Sequence, residues 1–508
     1  MSREALVLAV DLGSGGPKVG FVTLTGEPVW WSYDRADVLH AGAGSQDAEC
    51  WWESVVSAAR RGIAEGIDGS RVVGVACTGQ WASTVPVDAE GLPVGECLMW
   101  SDTRGAEHSA ARFGGPVAGY AARPLATWLH RSGGMPSPTG ADPVAHLLHL
   151  DRDRPEVKAR ARWYLEPVDY LTMRFTGLAA ASPMSMTAAW LTDNREPGHT
   201  AYDPVLVRLA GVDPTRLPPL VPSGSIVGTV REEVAEQIGI PATAQVVTGS
   251  PDLHSAAFGA GAVGLWEPHA SLGTTAWISC PMPAKKTDVL RSMAAVPGFG
   301  DGNYVLANNQ DNAGRALEWF RAACAPEVPY ADLLALAAAA PPGAGGVLFT
   351  PWLTGERSPV DDRHARGGFH NVPLDAGRGE LARAVLEGVA FNLRWLLAGV
   401  ERFTGRRLDP IRLLGGGARS DLWCQIVADV GDRTFERVAD PLLGGLRGAA
   451  LAFGVATGAV ALSDVRALVP VDARFVPDAG RRAAYDRLFR EFPRLHARNR
   501  SLFAHLNR

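Results

Sequence analysis

A chain whose second half restates the opening pattern of its first must set two similar units side by side, and that constraint governs this sequence. Ala5-Leu6-Val7-Leu8-Ala9-Val10 is a continuous apolar run, as a strand covered on both faces requires. Asp11 to Lys18 follows as a glycine-rich turn. Val19 to Leu24 reads as the return strand, closed by Thr25-Gly26-Glu27-Pro28. Much later, Ala270 to Ser279 is again turn and strand, with Ser271-Leu272-Gly273-Thr274-Thr275 in the turn. The likeness is one of pattern, not a residue-by-residue repeat. The two halves meet between about Asp252 and Ala270.

At that junction stands Val246-Val247-Thr248-Gly249-Ser250-Pro251-Asp252. It predicts a strand, a tight turn and a small-residue helix running from Ala256 to Gly264. An acid at such a turn is well placed to face a cleft. Its plainer role would be to cap the helix.

The remaining elements alternate strand and helix. A helix starting near Asp47 repeats Trp52, Val56, Ala59 and Ile63 on one face. Arg71 to Thr78 is a strand leading into Gly79-Gln80-Trp81. From the Met99–Arg104 segment to about Leu150 the chain is rich in Gly, Pro and His, with weak periodicity, which predicts an irregular or inserted subdomain. Glu156 to Thr176 reads as helix, strand and helix, and Pro214 to Pro222 as a loop. In the second half, Tyr304 to Ala307 and Ile411 to Leu414 are strands. Gly314 to Ala323, Glu380 to Leu397, Asp421 to Val430 and Gly444 to Gly458 are helices.

Length and composition narrow the class. The 508 residues call for more than one domain. A net charge of −5, with no basic stripe among aromatics, speaks against a nucleic-acid partner. No run of roughly 18 apolar residues exists, so no membrane-spanning helix is expected. The six cysteines are scattered without a Cys-x-x-Cys pair, which fits buried thiols in a reducing cytoplasm and no thiolate metal site.

Several stretches carry chemistry. In the first turn, glycines let backbone N–H groups approach phosphate oxygens, Ser14 can donate and Lys18 adds charge. Asp11 beside it suits a magnesium ion. A plain hairpin turn would use the same residues. The second turn offers hydroxyls for the same purpose, and two such turns at the starts of two halves can clasp one polyphosphate. Gly415-Gly416-Gly417-Ala418-Arg419-Ser420 lies between a strand and a helix and lets a flat base approach the backbone; helix–strand packing is the simpler alternative. It is not a dinucleotide fingerprint, because Ser420 stands where the third glycine belongs. Asp102 with Arg104 would serve equally as a surface ion pair, and Glu356 with Arg357 as a buried structural one. His130, His146, His149 and His254 form no metal pattern and read as local hydrogen-bonding groups.

Taken in order, these segments resemble the FGGY family of carbohydrate kinases, most closely its xylulokinase-like branch, from Ala5 to about Gly458. Asp11-Leu12-Gly13-Ser14 with Lys18 is similar to the family's first phosphate motif, and Ser271-Leu272-Gly273-Thr274 to its second. Gln46-Asp47, Trp51-Trp52, Gly79-Gln80 and Trp100-x-Asp102-x-Arg104 resemble the sugar-side series. Gly249-x-x-Asp252 resembles the catalytic-acid motif. Gly415 to Ser420, with Trp423 and Ala428-Asp429, resembles the adenosine motif.

The resemblance implies an α/β fold of two actin-like (ribonuclease H-like) domains around a central ATP/sugar cleft, with residues 1–256 and 257–508 as the two domains. It implies ATP and Mg2+ as cofactors, a small sugar or polyol as acceptor, most closely D-xylulose, and a cytoplasmic homodimer without nucleic-acid or membrane partners. By this alignment Asp252 is the general base and Asp11 lies near the metal. Gly13, Ser14, Lys18, Gly273, Thr274, Gly314, Glu318, Gly416, Gly417 and Ala418 meet ATP. Gln80, Trp81, Ala82, Asp102 and Arg104 line the sugar pocket. The sugar side departs most from the branch. Trp81-Ala82 stand where xylulokinases carry Met-His, and Leu253 stands where they carry Asn. Ribulose, erythritol and glycerol kinases, and a catalytically silent sugar sensor, are the alternatives.

Overall fold

The computed structural model describes residues 5–35, 44–117, 119–299 and 303–507. Two sheets with the same internal logic organise it. In the first, the spatial order is Pro28–Tyr33, Gly16–Thr23, Leu6–Gly13, Val72–Gly79, Gln245–Val247 and Ile226–Thr229. Leu6–Gly13 runs antiparallel to its hairpin partner and parallel to Val72–Gly79, which is parallel to Gln245–Val247; Ile226–Thr229 closes antiparallel. In the second, Ala276–Ser279, His269–Leu272, Ile411–Leu414, Phe435–Val438 and Val471–Phe475 repeat the sequence antiparallel, parallel, parallel, antiparallel. The shared pattern of the two halves is thus a shared topology.

Leu6–Gly13 shows why the opening run is apolar throughout. Leu6, Leu8, Val10 and Leu12 enter a core with Trp51, Trp52 and Val55 of helix Ala48–Ala64, while Val7 and Ala9 enter another on the opposite face. That second core is filled by Leu446, Ala449, Ala450 and Phe453 of helix Gly444–Ala456, which comes from the other half of the chain. The exchange is mutual. Helix Asp252–Gly259 gives Ala256 and Phe258 to a core holding Leu414 and Val438 of the second sheet. The two helices cross with their backbones touching. A Cβ on Gly448 would lie 1.9 Å from the Ser255 carbonyl oxygen, and one on Gly259 would lie 1.9 Å from that of Gly444. Only glycine fits at such a crossing.

Three expectations need correction. The first turn is tighter than Asp11 to Lys18: the strands run to Gly13 and restart at Gly16, leaving Ser14-Gly15 as the turn, and Asp11 pairs with Lys18 across the hairpin. The stretch from Met99 to Leu150 is not irregular. It holds helices Ala106–Phe113, Ala122–Arg131 and Pro143–Asp153, with a core of their own around Phe113, Trp128, Leu147 and Leu148. Pro143–Asp153 is buried from Pro143 to Leu150, so it is wrapped on every side and has no one-sided periodicity to display. Strand Ile226–Thr229, helix Glu232–Ile238 and the C-terminal helix Arg482–Leu506 had not been anticipated. Among the described residues no helix is long and apolar enough to cross a membrane.

Candidate active site

Asp252 is the first residue of its helix. Pro251 takes the capping position, so the N-cap alternative does not hold, and Asp252 Oδ1 accepts the Leu253 N–H at 2.7 Å. Burial, and then the charge of Asp11, push the Asp252 carboxyl up to about 7, against the opposing pull of the Leu253 N–H and of Lys18. Asp11, Lys18 and Asp252 are therefore one electrostatic cluster where the two halves meet. Lys18 Nζ lies 2.7 Å from Asp11 Oδ2. Burial pulls the ammonium down, but Asp11, with Tyr33 and Asp252, raises it above its ordinary value. Ser14-Gly15 forms the hairpin tip beside them. The Ser14 carbonyl accepts the Gln46 side-chain N–H at 3.0 Å, and the Gly15 carbonyl accepts the Tyr33 hydroxyl at 2.9 Å, so the tip is held from behind. Gly13 carries the last rung of the ladder, opposite Gly16.

The second turn is braced by the N-terminus of helix Gly314–Cys324. Gly314 N–H donates to the Gly273 carbonyl at 2.8 Å, and Ala313 N–H to that of Thr274 at 3.0 Å. Gly415 and Gly417 pack on this turn from the other side, because a Cβ at either would come within 2.7 Å of Leu272. Gly273, Thr274, Gly314, Gly416, Gly417 and Ala418 thus gather at one place. Thr274 and Gly416 are exposed there, and Ala418 is buried beneath them. Glu318 is exposed one turn along the helix from Gly314. Ser420 caps helix Asp421–Gly431 by accepting the Trp423 N–H at 3.3 Å, which gives it a structural duty where a dinucleotide fingerprint would need glycine.

The acceptor side lies at the end of strand Val72–Gly79. Gln80 is buried, and among the described residues neither its amide nitrogen nor its oxygen has a partner. An orphaned buried amide is costly, and a polar ligand would relieve it. Trp81 donates its indole N–H to the Ser185 carbonyl at 2.8 Å and stands edge-on to His254, two residues past Asp252. Ala82 adopts a left-handed backbone, φ 62°, uncommon for a residue with a Cβ. Asp102 and Arg104 do pair, but not as a surface pair. The Asp102 side chain is fully buried, and Arg104 grips both its oxygens through Nε and Nη2 at 2.6–3.1 Å while reaching Glu96 at 2.6 Å. Glu356 is not paired with Arg357 as expected. It accepts N–H groups of Asn392, Asp311 and Arg357, whereas the Arg357 guanidinium lies 5.6 Å over the Trp100 ring and 3.5 Å from Asp311.

Sequence inspection missed Gly445 and Glu166, and it named His146, as a local hydrogen-bonding group, and Arg357, as half of a buried pair, without finding their partners. Gly445 opens the space for Asp11, since a Cβ there would lie 2.4 Å from Asp11 Oδ2. His146 links the acceptor segments, with Nδ1 3.2 Å from Thr84 Oγ1 and Nε2 3.3 Å from the Asp102 carbonyl. Arg357 reaches across from the second half to Trp100. Glu166 holds the loop behind Trp81. The pair of glycines at 444 and 445, opening a helix, was the only available signal, and it read as packing.

Two matched α/β units exchange helices, with an acid at their junction and a glycine-rich turn from each. Comparisons sharpen this. The N-terminal-domain model of the FGGY family of carbohydrate kinases matches residues 6–259, and the family's C-terminal-domain model matches residues 269–457. The chain belongs to the FGGY family of carbohydrate kinases. A xylulose kinase of Escherichia coli is 29% identical over 502 residues, covering 97% of this chain and 98% of the relative. A gluconokinase of Bacillus subtilis is 24% identical, covering 84% and 82%. Among solved structures, a ligand-bound xylulose kinase and a gluconate kinase, both from Lactobacillus acidophilus, superpose with TM-scores of 0.86 and 0.85, each at 20% identity and covering 99% of this chain and 100% of theirs. The two-domain fold of these kinases is the fold of this chain, and the chain is an ATP-dependent sugar kinase.

Proposed function

We propose that the protein transfers the γ-phosphoryl group of ATP to a hydroxyl of a ketopentose, D-xylulose first among them, with Asp252 as general base. The observation that carries this is the position of Asp252, at the start of a shared helix and inside the field of Asp11 and Lys18. Its carboxyl is held near neutrality, where a base both accepts a proton readily and is available ionised. In this scheme Ser14, Gly13 and Lys18 meet the phosphates from the first half. Gly273 and Thr274 meet them from the second, and Gly314, Glu318, Gly416, Gly417 and Ala418 lie along the rest of the nucleotide. Phosphoryl transfer needs chiefly positioning and charge stabilisation, which such a clasp supplies.

A divalent ion fits the donor set. Asp11 and Asp252 are two neighbouring carboxyls facing one lysine, and hard oxygen donors suit Mg2+. Asp11 would hold it, and the ion would neutralise phosphate charge when bound. Gln80, Trp81, Ala82, Asp102 and Arg104 line the acceptor pocket, where the unpartnered Gln80 amide is free for a sugar hydroxyl. The division at 1–256 and 257–508 places the base helix at the hinge, so that closure of one domain on the other excludes water from the transfer.

The acceptor is set apart by assaying sugar-stimulated ADP release with D-xylulose, ribulose, gluconate, erythritol and glycerol. The xylulose-named relatives favour the first, and the gluconokinase relative at similar identity makes gluconate the main competitor. ATP binding without ADP release on any acceptor would leave a sugar sensor instead.

A further inference from the structure

Behind the acceptor loop lie two carboxylic acids that no part of the phosphoryl transfer uses. Glu166 caps helix Pro167–Thr176, and Asp169 follows it one turn later on the same helix. Both are buried. Glu166 Oε2 accepts the Ser83 N–H at 3.2 Å. Among the described residues neither Asp169 oxygen has a hydrogen-bond partner; the Ser185 hydroxyl acts on it electrostatically, and the carbonyl of that same serine accepts the Trp81 indole.

We propose that Glu166, seconded by Asp169, is a positioning residue that fixes the Trp81–Thr84 loop as the wall of the acceptor pocket. This rests on the placement of the acceptor at that loop. The Ser83 N–H directly follows the left-handed Ala82, and one buried carboxyl oxygen satisfies it here. Without that partner, Ala82 has no reason to keep a conformation that its Cβ disfavours. The consequences spread outward through hydrogen bonds. Ser83 Oγ accepts the Trp100 N–H at 3.0 Å, Thr84 exchanges backbone hydrogen bonds with Leu98, and Thr84 Oγ1 meets His146, which touches the Asp102 carbonyl. Glu166 therefore stands at the root of a network that ends at the buried Asp102–Arg104 pair. Burial pushes both acids well above the usual carboxylate range, in the direction of the neutral form. A neutral acid accepts through its carbonyl oxygen as an amide does. A glutamine should replace Glu166, and an alanine should not.

The test compares Glu166→Gln with Glu166→Ala by two independent measurements. Hydrogen exchange of the peptide spanning residues 80–85 reads the loop whether or not any acceptor has been identified. Steady-state kinetics with the best acceptor of the ADP-release panel reads the pocket. Glu166→Ala should exchange this peptide at least tenfold faster and raise the acceptor KM at least tenfold, with the ATP KM changed less than twofold. Glu166→Gln should match the wild type in both. Unchanged exchange in Glu166→Ala, or a glutamine variant as impaired as the alanine one, overturns the proposal. Faster exchange with an unaltered acceptor KM overturns instead the placement of the acceptor at this loop. Should Glu166→Ala not fold, Asp169→Asn against Asp169→Ala gives the same contrast through Ser185 and Trp81, and equal behaviour of those two variants overturns Asp169's share.

Discussion

The Asp11 carboxylate raises the pKa of Asp252, although one residue lies near the end of an interior strand of the first sheet and the other opens the helix at the junction of the halves. Lys18 is ion-paired to Asp11 and only partly offsets this, so the acid best placed to act as base shares its site with a second negative charge. Asp252→Asn should abolish acceptor phosphorylation, a loss of about a hundredfold or more for a group that carries general-base catalysis. ATP affinity should stay within about twofold, since an isosteric amide leaves the phosphate turns in place. Retained wild-type turnover would remove the base assignment.

The same shift fixes a pH dependence. A base held near 7 must be deprotonated to act, so kcat/KM should rise with pH along a limb centred near 7 for the free enzyme. Folding stability runs the opposite way. A carboxyl whose folded pKa lies above its unfolded value of 3.8 binds its proton more tightly when folded, so its contribution falls as pH rises from 3.8 and levels off above about 7. The Asn variant lacks that slope. Its melting temperature, measured against wild type at pH 4, 6 and 8, should gain most at pH 8 and least at pH 4. A constant difference across that range would mean that Asp252 titrates normally.

Gly445 meets Asp11 at the end of a side chain and not at backbone, so an added methyl should displace the carboxylate and leave the fold intact. Gly445→Ala is expected to raise the KM for ATP and for Mg2+ several-fold, with the acceptor KM and the melting temperature nearly unchanged. Isothermal titration of nucleotide with and without magnesium separates these terms. Equal losses for both substrates would place Gly445 outside the phosphate side.

Asp102 is wholly buried, and Arg104 holds both its oxygens. Asp102→Ala leaves that guanidinium with Glu96 as its remaining carboxylate partner. The partly buried charge, left with one of its two carboxylate partners, should cost about 2–3 kcal/mol of stability. The acceptor KM should rise at least about tenfold, equivalent to 1.4 kcal/mol, and the ATP KM should not. Equal effects on both constants would move Asp102 out of the pocket.

What could be seen beforehand depended on how local the signal was. The two hairpins, the strand into Asp252 and the helices at Ala48 and Arg378 announce themselves because apolar period and turn residues are contiguous. The two glycine-rich turns were legible for the same reason, as was the Gly415–Ser420 stretch, whereas Gly314 was named only through the family resemblance. Helix Pro143–Asp153 hid because burial on every side erases periodicity. Glu166 and Gly445 hid because their meaning lies in residues 83 and 434 positions away, namely Ser83 and Asp11. Arg447 is a buried charge within the small-residue helix Gly444–Ala456. In place, its buried guanidinium joins the Gly26 carbonyl of one half at 3.2 Å to the Ala439 carbonyl of the other at 2.7 Å.

That helix also carries one of the tightest glycine contacts among the described residues. A Cβ on Gly448 would fall 1.9 Å from the Ser255 carbonyl oxygen, which is backbone and cannot turn aside. Gly448→Ala must therefore push helix Gly444–Ala456 away from helix Asp252–Gly259. The apolar contacts of Leu451 and Ala452 with Ala256 and Phe258 would loosen together. Overpacking of this kind costs about 1–3 kcal/mol, which chemical denaturation would register as a lower midpoint at unchanged m-value. Because Asp252 begins the displaced helix, kcat should fall more than either KM. A variant as stable as wild type but slow would mean that the shift is absorbed at the base. A variant destabilised at full kcat would mean that the second half yields and Asp252 stays where it is.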